Sequence, residues 1–374
     1  MRRSGKKTIR SALGCGLLLL ALSHHVQAQP VEITAQRDGV VKDVSIQTPD
    51  FTGHTAGRLR WSEEIEQIGA FYIRLRLSTL QSQNAGLVTL SLRDRSGRLV
   101  RRYSGSELVN KSPLWSDVVR GGYVLVSLHA DHAPEGFGLS IDQIAYQANA
   151  GAPLSTVGED DKQSIAAYSD DATISRVQKP VAKLLFISDG STSTCTGFLI
   201  EPGKLITNHH CVSTQEVCET TRVIFGFQHN KNSVLQFGDQ YECSQLVAGD
   251  SSFELDYSVL EIAGQPETRW GLLPLDSATD PAAGDELFIV QHPAGQAKQI
   301  SKINCTAGTV PVDGRATESD FIHNCDTAGG SSGSPVTDSA GNLVGLHHYG
   351  FNEGGVWTQN RAVRIKQIVE HIGE

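Results

Sequence analysis

Six of the seven cysteines lie beyond residue 190: Cys195, Cys211, Cys218, Cys243, Cys305 and Cys325. An even set of cysteines in an exported chain implies three disulfides formed in an oxidising compartment. None belongs to a CxxC pair, which argues against a zinc ribbon or a thioredoxin-like redox site. Their confinement also divides the chain beyond Cys15 into a cysteine-free N-terminal body and a stapled C-terminal one.

The leader supports export. Arg2, Arg3, Lys6, Lys7 and Arg10 precede an apolar run from Leu13 to Leu22, and Val26-Gln27-Ala28 supplies a small-residue cleavage site. Residues 1–28 therefore read as a secretory signal, too short in its apolar part to span a bilayer. Cys15 offers a lipoprotein alternative, but Ala12 stands where such a signal favours leucine. Without the leader the net charge moves from −9 to roughly −14. So acidic a body repels phosphate backbones, which excludes nucleic acid as a natural partner. No later stretch is long and apolar enough for stable membrane association. The oligomeric state has no signature.

Residues 30–147 read as a β-sandwich. Phe71, Ile73, Leu75 and Leu77 alternate with Tyr72, Arg74 and Arg76, the period of a half-buried strand. Val88, Leu90 and Leu92, then Val124, Val126 and Leu128, then Phe137, Leu139 and Ile141 repeat that pattern between Gly-bearing turns. Nothing there suggests chemistry, so this part reads as an accessory or pro-domain. Residues 148–178 read as a linker, small at Asn149–Pro153 and acidic at Gly158–Asp161 and Ser169–Asp171. Residues 179–374 form a second all-β domain. It ends in a helix with Ile365, Ile368, Val369 and Ile372 on one face.

Three segments of this second domain carry chemistry. Gly329-Gly330-Ser331-Ser332-Gly333-Ser334-Pro335 is a turn tight enough to expose a hydroxyl and aim backbone N–H groups at one point. Cys195 to Cys211 is a strand-turn-strand unit ending in Thr207-Asn208-His209-His210-Cys211, and a disulfide between its ends would hold the histidine rigidly. Leu255-Asp256-Tyr257-Ser258-Val259-Leu260 sets an aspartate at the head of an apolar strand.

These segments resemble the T-A-A-H-C, D-[IVL]-[AS]-[LV]-L and G-D-S-G-G-P motifs of trypsin/chymotrypsin-like serine endopeptidases. They follow the same His, Asp, Ser order. The forms at His209–His210 and Gly330–Pro335 are closer to the bacterial branch that includes glutamyl endopeptidases. The resemblance covers the second domain and implies a chymotrypsin-like double β-barrel, all-β, with a C-terminal helix. It implies a catalytic triad of His210, Asp256 and Ser332, with an oxyanion hole at the N–H groups of Gly330 and Ser332 and no cofactor or metal. His209 and Ser331 compete for two of these roles. The position before the cysteine selects His210, and Gly-x-Ser-Gly selects Ser332.

The resemblance also implies the Cys195–Cys211 disulfide, while proximity pairs Cys218 with Cys243 and Cys305 with Cys325. Protein or peptide substrates would meet a primary pocket at Asp326, Thr327, His347, Tyr349 and Gly355. Thr327 and His347 favour an acidic side chain before the scissile bond, whereas Asp326 favours Lys or Arg. His323 and His348 receive no role. Ser331 replaces the aspartate that anchors a new N-terminus in many relatives, so a zymogen would open by removal of the N-terminal domain, with trimming within 148–178. The rival reading is a catalytically silent exported protein that binds through its sandwich.

Overall fold

The computed structural model describes residues 35–51, 58–147, 154–275, 279–353 and 356–373. The signal segment and Gly355 lie outside the described residues.

The N-terminal module is two facing sheets. One contains the strands Gln36–Gln47, Phe137–Tyr146 and Tyr72–Ser82, and the other has the order Leu59–Glu66, Tyr123–Ala130, Val88–Arg93 and Leu99–Ser104. The alternating apolar residues meet between them, with Ile73, Leu75, Leu90, Leu92, Val124, Val126 and Leu128 in one core. The opposite face of the Tyr72–Ser82 strand is covered over its first residues by protein, not by water. Tyr72 and Arg74 are buried. The Tyr72 hydroxyl donates to Thr192 Oγ1 at 2.8 Å, and Arg74 donates to the Thr220 carbonyl at 2.8 Å. Both partners belong to the second module. Phe71, expected on the core face, is 41% exposed and stacks edgewise on Phe227 instead.

The second module is a pair of barrels. The first closes through Val181–Ser188, Arg222–Phe225, Gln240–Ser252, Tyr257–Ile262, Lys204–Thr207 and Ser191–Glu201, the last pairing back onto Val181–Ser188. The second runs through Gln299–Ser301, Leu287–Gln291, Pro335–Asp338, Leu343–Glu353, Val356–Arg364 and Asp320–His323. Bridges at Glu286–Thr306 and Ala307–His323 draw its ends together. Phe198, Ile206 and Val259 of the first barrel pack with Phe288, Val290 and Leu346 of the second. The final helix, Ile365–Ile372, buries Ile365 and Ile368 in that shared core. The disulfides are Cys195–Cys211, Cys218–Cys243 and Cys305–Cys325.

The segment expected as a linker is folded where it is described. Leu154–Ser155 pairs with Thr327–Ala328, and Gln163–Ser164 pairs with Gln299–Ile300. The helix Ala172–Gln178 follows, its first turn capped by the Asp171 side chain accepting from Ile174 N. Glu159, Asp160 and Asp170 are exposed, while Ile165, Ile174 and Val177 enter the core between the barrels. Trimming within residues 154–178 would therefore remove packed structure.

Candidate active site

His210 follows the strand Lys204–Thr207, and Asp256 precedes the strand Tyr257–Ile262. Those strands pair, with Thr207 opposite Ser258, so the two residues leave the barrel at the same end. The Cys195–Cys211 bond then fixes the turn beside His210. Asp256 holds a left-handed φ of 47°, a conformation few non-glycine residues adopt. In that conformation its carboxylate meets His210 twice. Oδ1 accepts from the His210 backbone N at 3.0 Å, and Oδ2 lies 2.8 Å from His210 Nδ1. His209 packs edgewise on Phe253 and makes no such contact.

Two further side chains reach Asp256. Arg315 donates to Oδ1 at 3.1 Å, and His348 Nδ1 is 3.2 Å from Oδ2. The other nitrogen of His348 is 2.7 Å from Asp320 Oδ2. Both ring nitrogens face carboxylate oxygens, so both carry protons and the ring is an imidazolium. Burial would discharge His348, but Asp320 and Asp256 outweigh it and raise its pKa to about 8. Burial would likewise raise the Asp256 pKa. Its contacts with His210 and His348 prevail and hold it well below the usual carboxylate range.

Ser332 lies in the turn between Thr327–Ala328 and Pro335–Asp338. Its carbonyl accepts from Thr196 N at 2.8 Å, and Gly333 N donates to the His347 carbonyl at 2.9 Å. These bonds tie the turn to both barrels. The Ser332 hydroxyl donates to the His348 carbonyl at 3.2 Å, and His210 Nε2 is buried without a partner.

The Gly329 carbonyl accepts from Ala294 N. In a trans peptide the next N–H points the opposite way, so the Gly330 N–H is turned from Ala294. Among the described residues neither this N–H nor that of Ser332 donates to a protein group. Gly330 has a φ of +96°, and a Cβ there would lie 2.9 Å from the His292 carbonyl. Only glycine fits. Ser331 is buried, and its Oγ accepts from Ala328 N at 3.1 Å.

The residues expected around the primary pocket have separate fates. Asp326 is 4% exposed. Its oxygens accept from Val157 N at 3.0 Å and Asp161 N at 2.7 Å. Burial pushes its carboxyl up despite these bonds. Thr327 donates to Asn360 Oδ1 at 3.2 Å. His347 Nδ1 lies 3.1 Å from His323 Nε2, a pair the sequence did not single out. Burial lowers both, His323 to about 3 and His347 well below its ordinary value, so both are neutral near pH 7. The Tyr349 hydroxyl points to Asp320 Oδ2 at 3.4 Å.

This double barrel carries a serine hydroxyl, a histidine braced by a buried carboxylate, and two unpaired N–H groups in one turn. That arrangement belongs to the chymotrypsin-like class of peptidases. Residues 195–346 match the trypsin-like peptidase domain family, a match that supports a serine endopeptidase. It is 29% identical over 275 residues to secreted RxLR effector protein 73 of Plasmopara viticola, covering 67% of each chain. It is 27% identical to the lysyl endopeptidase of Pseudomonas aeruginosa, covering 83% of this chain and 72% of that protein. A solved Glu endopeptidase superposes with a TM-score of 0.43 and 21% identity, covering 58% of this chain and 97% of that one.

Proposed function

We propose that this is an exported endopeptidase that hydrolyses peptide bonds through Ser332, His210 and Asp256. The observation that carries the assignment is the two-point contact of Asp256 with His210, through Nδ1 and the backbone N. It leaves Nε2, buried without a hydrogen-bond partner among the described residues, as the nitrogen free to take a proton. His210 takes the Ser332 proton as Oγ attacks the carbonyl, then delivers it to the departing amine. The Gly330 and Ser332 N–H groups hold the oxyanion, a term worth about 100- to 1,000-fold in rate. Water then repeats the sequence on the acyl-enzyme. Three disulfides support export to an oxidising compartment.

For the bond cut, we favour cleavage after acidic residues. A neutral His347, oriented by His323, can donate to a substrate carboxylate. The alternative is cleavage after a basic residue through Asp326, in keeping with the name of the lysyl endopeptidase relative. Against it, both Asp326 oxygens already accept backbone N–H groups. The test is a peptide-library digest read by mass spectrometry, with Ser332→Ala as control. Cuts after Glu or Asp, lost in the control, are expected. Cuts after Lys or Arg would return the specificity to Asp326, and cuts identical in the control would remove Ser332 from the reaction.

A further inference from the structure

The outer edge of the Ser191–Glu201 strand lies beside the proposed nucleophile. Its far part pairs with Lys204–Thr207, and Thr196 N donates to the Ser332 carbonyl. Two residues earlier the edge is already occupied by the first strand of the N-terminal module. Gln36 pairs with Thr194, Arg37 with Ser193, Gly39 with Thr192 and Val40 with Ser191. Ala35 packs against the apolar cluster that contains the Cys195–Cys211 disulfide. The Gln36 side chain covers Gly329, so closely that a Cβ on that glycine would lie 2.0 Å from Gln36 Oε1. This start of the strand therefore touches both the disulfide cluster beside His210 and the turn that carries Gly330 and Ser332.

The attachment is built in depth. Asp38 is 2% exposed and lies 3.4 Å from the buried Lys183 ammonium, which donates to the Gly295 carbonyl at 2.7 Å. Gln147 donates to the other Asp38 oxygen at 3.2 Å, and the Tyr72 hydroxyl donates to Thr192.

Direction decides what this strand imitates. The departing amine of a substrate takes its proton from His210, so the leaving-group half of the cleft is the His210 and Cys195–Cys211 side. The strand begins there, at Ala35 and Gln36, and runs outward from N- to C-terminus toward Val40. That is the polarity of the peptide following a scissile bond. We infer that residues 35–40 occupy the leaving-group half of the cleft as a tethered product mimic, so an extended substrate must displace the chain's own first strand. The surface is a strand edge, and its competing partners are extended peptides that add to it through main-chain bonds. This inference rests on the peptidase reading.

The test compares two substrates on the full chain, both carrying the residue before the scissile bond that the library digest identifies. One is a short chromogenic amide with no residue after that bond, and the other is an internally quenched peptide with four residues after it. Gln36→Pro removes the N–H facing Thr194. It is expected to raise kcat/KM for the quenched peptide about tenfold, the scale of one net hydrogen bond, and to raise it distinctly less for the short amide. Fluorophosphonate labelling of Ser332 reports that the variant is folded. Should labelling be lost, Gln36→Gly repeats the test, since it keeps the N–H and removes only the side chain over Gly329. An equal effect on both substrates, or none, overturns the inference and leaves the peptidase reading standing. Hydrolysis of neither substrate by any form overturns the peptidase reading itself.

Discussion

His348 Nδ1 lies 3.2 Å from Asp256 Oδ2, on the same oxygen that His210 Nδ1 approaches to 2.8 Å. One carboxylate oxygen thus serves two imidazoles, and the second is anchored from behind by Asp320 at 2.7 Å. His348 touches no substrate atom in this arrangement. It is a positioning residue that fixes the carboxylate which in turn fixes His210.

The charge on His348 predicts an alkaline limit. Its folded pKa of about 8 lies above its ordinary 6.5. Its contribution to stability is therefore complete below about pH 6.5 and is lost as pH rises through about 8. Activity of the wild type should fall over the same interval. His348→Gln should lower kcat about tenfold at pH 7, the loss of one charge-assisted bond, and should lack that limb. A pH profile of kcat for both forms decides it. An unchanged limb in the variant would assign the titration elsewhere.

The proposed triad predicts unequal losses. Ser332→Ala should remove activity to the level left by binding and the oxyanion hole, a fall on the order of a million-fold. Asp256→Asn should cost about 10,000-fold, because it presents the wrong tautomer of His210 to the serine. Steady-state kinetics on one chromogenic amide measure both, and loss of fluorophosphonate labelling in Ser332→Ala locates the nucleophile.

Much of this arrangement was legible because its parts are local in sequence. The Cys195–Cys211 unit, the Asp256 strand head and the Gly329–Pro335 turn each announce themselves within 17 residues or fewer. The double barrel follows from the resemblance these motifs carry, the sandwich from strands of period two, and the last helix from Ile365, Ile368 and Ile372. The support around the site was not legible. His348 and Arg315 converge on Asp256 from separate elements, Asp320 backs His348, and none carries a motif of its own. Tyr72 and Arg74 read as a solvent face because alternation reports that a strand has two faces without saying what covers the polar one. The acidic run at 158–161 is solvated as read, with Gly158, Glu159 and Asp160 exposed, but the bond from Asp161 N to Asp326 that docks it leaves no mark in the composition.

The His323–His347 pair predicts how an acidic substrate is recognised. His347→Val should cut kcat/KM for a Glu substrate by roughly 10- to 100-fold, the range for a hydrogen bond to a charged group, with KM rising. His323→Phe should keep the bulk but release the orientation of His347, giving a smaller loss in the same direction. Unchanged Glu preference in His347→Val would place the specificity on another group.

The Cys195–Cys211 bond closes a 16-residue separation beside His210. Replacing both cysteines by serine should cost about 3 kcal/mol through the unfolded-state entropy, lowering the melting midpoint by roughly 6–12 °C for a module of this size. Calorimetry measures the shift. Catalysis at 25 °C should fall further than folding, because the turn that holds His210 loses its brace.

Asp326 separates structure from specificity. Its oxygens accept from Val157 N and Asp161 N, so it holds the 157–161 segment behind the Thr327–Ala328 strand. Asp326→Asn leaves one oxygen to accept and turns an NH2 group toward a backbone N–H, two donors facing each other. The cost of one buried unsatisfied donor is about 1–3 kcal/mol, read as a lower melting midpoint. If Asp326 only holds the segment, the variant melts earlier and cuts after the same residues as the wild type. If it binds substrate, cuts after Lys or Arg disappear in the variant while the midpoint moves little. The two outcomes differ in both readouts, so one purified variant assigns the residue.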